Sequence, residues 1–194
     1  MNLPIFELLI NESMADDAEV SMVALVDRPA IQRNWNAFRD KKLVTMSQVG
    51  DRRIISGPLM LSDTPIYRND HMGEYYVTFS AETILKIAQK YFKRGYQANV
   101  NLMHDPNLAV GGVTMFESFV TDSQRGVLAM KGFEDAPQGS WFGSFLVENE
   151  EVWAAIKRGE FLGFSVEGLF EYQRAETAED KLFNEIAKIL KQVK

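Results

Sequence analysis

The sequence predicts a β-rich α+β domain with about three helices, and three observations lead to that class. Short apolar runs bounded by Gly, Pro and Asp recur along the chain, as half-buried strands require. Three longer segments place apolar residues at helical spacing between recognisable caps. The composition, 46% hydrophobic and 25% charged over 194 residues, is that of an ordinary globular fold and excludes disordered, collagen-like and coiled-coil classes. A chain of this length can bury a core without disulfide or metal support.

The elements follow in order. Ile5 to Ile10 is a short apolar strand, and Val20 to Val26 is a second, stopped by Asp27-Arg28-Pro29. Arg53 to Leu61 is a third, with Gly57-Pro58 as its turn signal. Glu74 to Phe79 (EYYVTF) is a further strand, after which Ser80 stands as an N-cap. Ile84, Ile87, Ala88 and Tyr91 then trace one helical face, and Gly95 closes it. Ala98 to Met103 is a short strand ending at His104, with Asp105-Pro106-Asn107 as the following turn. The chain returns over Val110 to Val120, turns at Asp122 to Gly126 and continues through Val127 to Phe133. Trp141 to Val147 is the next strand. Asn149 caps a short helix that Gly159 ends, and Phe161 to Tyr172 is the last strand. Thr177 and Asp180 form a capping-box variant, followed by one apolar face through Leu182, Phe183, Ile186, Ile189, Leu190 and Val193. The expected organisation is one β-rich domain over 1–176, with an amphipathic helix over 177–194 that packs on it or binds a partner.

Composition also narrows function. No cysteine is present, which removes thiol nucleophiles and thiolate metal sites. A net charge of −6 argues against a nucleic-acid partner. No run of about 18 apolar residues exists to span a membrane, and the start MNLPIFELLINES lacks the basic region of a signal peptide, so a cytoplasmic location is expected. Neither phosphate-cradling glycine motif occurs, and GFSVEG misses the nucleophile-elbow spacing by one place. The cluster Lys90 to Arg94 reads as helix-end cations. No second His or Cys lies at ligand spacing from His104, so neither a metal nor a cofactor is expected.

Two histidines remain as bases with an ordinary pKa near neutrality. His71 lies in a polar N-D-H-M-G loop and reads as surface. His104 ends a strand beside a turn, in NVNLMHDPNLAVGGV. The second unusual segment is Gly163 to Gly168, GFSVEG, a strand with Ser165 between an aromatic and a β-branched neighbour and glycines that admit close backbone approach.

Together these segments resemble the His and Ser strands of the herpesvirus assemblin and phage prohead protease superfamily. The runs VALVDRPAIQ, RRIISGPLMLSDTPIYR, GEYYVTFSAETILKIAQKYF, the ES of FESFV, and GSWFGSFLVENEEVWAAIKRGEFLGFSVEG are similar, in the same order, to the XkdF-like branch of phage serine proteases. The resemblance implies a mainly antiparallel β-barrel surrounded by helices. It implies a serine endopeptidase that cuts scaffold and capsid proteins, and often itself, inside the assembling procapsid in the host cytoplasm. A homodimer is the active form of the viral relatives, although the sequence marks no dimer face. Ser165 would be the nucleophile and His104 its general base.

The third member departs from the Ser-His-His viral pattern, because His71 precedes the base and lies in a loop. A carboxylate is the expected partner. Glu167 comes first, since residues two apart in a strand share a face at roughly 6.5–7 Å. Glu117 is the alternative, with Asp105, most readily a turn cap, and Glu171 behind. A non-catalytic capsid-assembly or scaffold-binding domain of the same fold is the competing reading, and a small-ester hydrolase is a third.

Overall fold

The computed structural model describes residues 3–27 and 52–175. The helix expected over 177–194, and the break expected at Arg28-Pro29, lie outside the described residues. Within them the elements run β1 (Ile5–Leu9), β2 (Val20–Val26), β3 (Ile54–Met60), β4 (Ile66–Asp70), β5 (Gly73–Thr78), α1 (Ala81–Arg94), β6 (Val100–Leu102), β7 (Asp105–Ala109), β8 (Val113–Val120), β9 (Trp141–Val147), α2 (Glu150–Arg158), β10 (Gly163–Gly168) and β11 (Glu171–Arg174). They form three sheets, in the orders β11-β1-β5-β4, β10-β2-β6-β7 and β3-β9-β8. The β1–β5 and β2–β6 pairs are parallel and the others antiparallel. The fold is thus mostly β with two helices among the described residues, and the described pairings do not close one barrel.

Local chemistry fixes both helices. The Ser80 hydroxyl accepts from the Thr83 amide at 3.3 Å, and Gly95 ends α1 in the left-handed region at φ 76°. Asn149 accepts from the Glu151 and Val152 amides, and Gly159 ends α2 in the same way. The apolar face of α1, through Ile84, Ile87 and Tyr91, is fully buried with Trp141, Phe145 and Trp153 in one continuous core. Lys90 departs from the expected solvated cation. It is 2% exposed, and its ammonium donates to the carbonyls of Asn11, Asp16 and Ala18 at 3.0, 2.8 and 3.2 Å. These bonds tie the segment before β2 to α1. Glu19 completes the knot, with Arg94 Nε at 2.9 Å and the Tyr96 hydroxyl at 2.7 Å.

Four expected boundaries differ. Gly57-Pro58 is no turn: both residues lie inside β3, the outer strand of its sheet, and Pro58 falls at a bulge where its missing N–H disrupts little. The chain reverses at Met103-His104, ahead of Asp105-Pro106-Asn107, which belongs to β7. Of Val127 to Phe133, only Val127 makes a β-bridge, to Asp122. Phe133 is buried instead against Phe142, the ring centroids lying 5.7 Å apart. The last strand is two strands: β10 ends at Gly168, which still pairs with Val20 after a register shift, and β11 pairs with β1 in another sheet. Ile66–Asp70, which carries little apolar signal, is an additional strand.

Candidate active site

The alternation in GFSVEG sorts β10 into two faces. Phe164 and Val166 point to the core side, with Val23 and Leu25 opposite them on β2 and Val100 beyond on β6. The Phe164 ring stacks on Phe145 at 4.9 Å and lies over Gly57, where a Cβ would already be in contact at 3.5 Å. Ser165 and Glu167 take the other face. Ser165 pairs with Ala24, which pairs in turn with Asn101, so the three share one row across β10, β2 and β6. Ala24 and Asn101 are fully buried and Ser165 is 8% exposed. Gly168 permits this approach: a Cβ there would lie 2.1 Å from the Glu19 carbonyl oxygen and 2.9 Å from the Val20 Cα.

His104 arrives on the β6–β7 hairpin. Leu102 pairs with Asp105, leaving Met103 and His104 as a two-residue loop with φ 57° and 61°. Two successive left-handed residues are the signature of a type I′ turn, a geometry that favours Asn-Gly. The turn is anchored by the Met103 amide, which donates to the Leu25 carbonyl at 3.0 Å. The Met103 sulfur also accepts from the Asp27 amide at 3.4 Å.

The hairpin brings the imidazole against Glu167. His104 Nδ1 lies 3.0 Å from Glu167 Oε1, and Asn101 Nδ2 donates to the same oxygen at 2.7 Å. With Nδ1 donating to the carboxylate, a neutral imidazole presents Nε2 as an acceptor. His104, Glu167 and Ser165 all line one cavity of about 590 Å³. Its walls are mixed in character: Leu8, Leu61, Ile66, Phe79 and Phe170 contribute apolar surface, and Arg68 contributes a cation.

The other candidates are placed elsewhere. Glu117 lies on β8 and accepts from the Ser144 hydroxyl at 2.6 Å, which in turn accepts from Ser56 at 2.9 Å. Asp105 closes a small side-chain loop within β7, accepting from the Asn107 amide at 2.8 Å. Glu171 is exposed on β11, and the His71 side chain is 87% exposed. Asn101 is not among the residues that the sequence marks as a candidate. The one local signal is its type, since Asn is uncommon inside an apolar strand; its burial is visible only in the fold. No group of three or more His, Cys, Asp or Glu that could hold a metal occurs among the described residues. No helix there is long and apolar enough to cross a membrane.

Residues 41–174 match the family model described as "Putative phage serine protease XkdF". The chain belongs to this family. Among its relatives in Bacillus subtilis (strain 168), the phage-like element PBSX protein XkdF is 26% identical over 183 residues, 89% of this chain and 60% of the relative. The uncharacterized protein YqbD is 27% identical over 163 residues, 80% of this chain and 46% of the relative. The chain therefore spans about half the length of the curated relatives it matches. No solved structure matches it. The XkdF family region contains His104, Ser165, Glu167 and Asn101 and stops at the end of β11.

Proposed function

We propose that this XkdF-family chain is a serine endopeptidase with Ser165 as nucleophile, His104 as general base and Glu167 as the group that orients the base. The observation that carries the reading is the 3.0 Å contact of His104 Nδ1 with Glu167, in the cavity that Ser165 also lines. His104 Nε2 takes the Ser165 hydroxyl proton as Oγ attacks a peptide carbonyl, giving a tetrahedral intermediate. The imidazolium, stabilised by the Glu167 carboxylate, returns the proton to the departing amine, leaving an acyl-enzyme. Water, deprotonated by the same nitrogen, then releases the acid and restores the serine. The scaffold and capsid proteins of an assembling procapsid in the host cytoplasm are the proposed substrates, with self-cleavage and a homodimer in the same proposal. The assemblin-like barrel is the proposed relationship behind the three sheets.

The test is labelling by an alkyl fluorophosphonate, followed by co-expression with the phage scaffold protein. Labelling at Ser165, and cleavage that stops in Ser165→Ala, is the expected result. His104→Ala should lower cleavage roughly 10²–10⁴-fold. Cleavage that persists in Ser165→Ala would overturn the nucleophile. Scaffold association with neither labelling nor cleavage would favour the non-catalytic assembly domain, and ester turnover without peptide cleavage would favour a small-ester hydrolase.

A further inference from the structure

Glu167 has two hydrogen-bond donors on one oxygen, and the second is Asn101. Asn101 is fully buried on β6, in the row of Ala24 and Ser165. The hydrogen bond that its amide donates to Glu167 joins the first and third strands of the sheet across β2. The Glu167 side chain is only partly buried, at 29% exposure, and the His104 side chain more exposed still, at 43%. A carboxylate so placed can turn to water and leave the imidazole unsupported. The Asn101 bond, rooted in a fully buried residue, is what opposes that rotation. Asn101 bears a second mark: its Oδ1 is buried with no hydrogen-bond partner among the described residues. An apolar side chain of the same shape would avoid that unsatisfied acceptor, so packing alone does not account for an amide here. Its donor group does.

We infer that Asn101 is a positioning residue that holds the Glu167 carboxylate against His104 Nδ1, and so keeps Nε2 directed for proton transfer. This rests on the serine-protease reading above. Asn101 touches neither substrate nor reacting atoms; it acts through Glu167. A small angular error in a general base has a large kinetic consequence, since a misplacement of about 1 Å can cost around 10²-fold. The Ser165 hydroxyl and the cavity walls are untouched by the change, so binding of a reagent should stay as it is.

The experiment measures alkyl fluorophosphonate labelling of the full chain, separating the maximal rate from the half-saturating concentration. Asn101→Leu, which keeps the branched outline of the side chain and removes the donor, should lower the maximal rate by about 10- to 100-fold and leave half-saturation within about twofold. Its melting temperature should stay near that of the parent, because loss of the bond to the partly solvated carboxylate is offset by removal of the orphaned acceptor; a purely structural residue would lower it. In a Glu167→Ala background, Asn101→Leu should change the rate less than about twofold, since the group it positions is absent. Should the leucine variant not fold, Asn101→Thr serves: threonine suits a strand and its hydroxyl is too short to reach the carboxylate, so the same drop is expected. Parental labelling rates in a folded Asn101 variant would overturn the inference, as would an equal loss with and without Glu167. Failure of the underlying reading is distinct from either: the parent itself would then not label at Ser165, or His104→Ala would label normally.

Discussion

The backbone under His104 makes a sharp claim about stability. His104 sits in the left-handed region at φ 61°, where a residue with a Cβ costs about 1–2 kcal/mol relative to the right-handed region and glycine does not. Removing the imidazole also removes the contact with Glu167, but its two ends are 43% and 29% exposed, and such pairs are worth about 0–1 kcal/mol. That loss is common to His104→Ala and His104→Gly, so it cancels between them. What remains is the backbone strain, which alanine keeps and glycine relieves. Glycine pays about 0.5–1 kcal/mol for its greater freedom in the unfolded chain. The glycine variant is therefore expected to be the more stable of the two by up to about 1 kcal/mol, a melting temperature about 2–4 °C higher for a chain of this size. Ordinarily alanine would win by a similar margin, so the sign is the informative quantity. Thermal melts followed by circular dichroism, with fluorophosphonate labelling in parallel, make the comparison. Labelling should be lost in both variants. An alanine variant that melts at or above the glycine variant would refute the argument that the histidine is held in a strained turn.

Three further outcomes follow from the packing. Gly168→Ala would set a methyl 2.1 Å from the Glu19 carbonyl oxygen, and because both are backbone neighbours the strand must shift. A loss of about 1–3 kcal/mol in urea unfolding, with reduced Ser165 labelling, is expected, and an unchanged midpoint would count against the close approach. Ala24→Val adds two methyl groups where Glu167 reaches over β2 toward Asn101; labelling should fall by about tenfold or more at unchanged circular dichroism, whereas parental labelling would mean that space is not needed. Burial raises the Glu19 carboxyl pKa, but its bonds to Tyr96 and Arg94 outweigh this and hold it below the ordinary 4.5. Its folded pKa being depressed, the stability it contributes is present above about pH 4.5 and lost as pH falls through the folded value. Glu19→Gln should therefore flatten the acid limb of the stability curve, and an identical limb in parent and variant would exclude this group.

Local features were the legible ones. Ser80 with Gly95, and Asn149 with Gly159, bound their helices because caps act over three or four residues. The shared face of Ser165 and Glu167 is equally local, since it needs only the two-residue strand period. Pairing is different. Nothing in Met103-His104 announces a hairpin turn, and the stronger signal of Asp105-Pro106-Asn107 hides it, although Asp105 spends its side chain on a small loop inside β7. That Glu171–Arg174 leaves the sheet of β10 to join β1 depends on a distant strand, as does the burial of Lys90 under the chain before β2. Asn101 was hidden for the same reason, because its partner is 66 residues away. Neither segment alone shows that a carboxylate will reach across an intervening strand.

The order in which the site's strands leave the ribosome has a consequence in time. The strand at its centre, β2, is made early. The hairpin bearing His104 joins it in parallel much later, and the strand bearing Ser165 and Glu167 pairs with its other edge later still. Contacts so distant in sequence form slowly and cannot form on a partial chain. A nascent polypeptide thus carries its histidine well before its serine, and the cleft exists only once Gly163–Gly168 has been synthesised and has docked on β2. If the chain cuts its own backbone, as proposed above, it can do so only after that point in its synthesis.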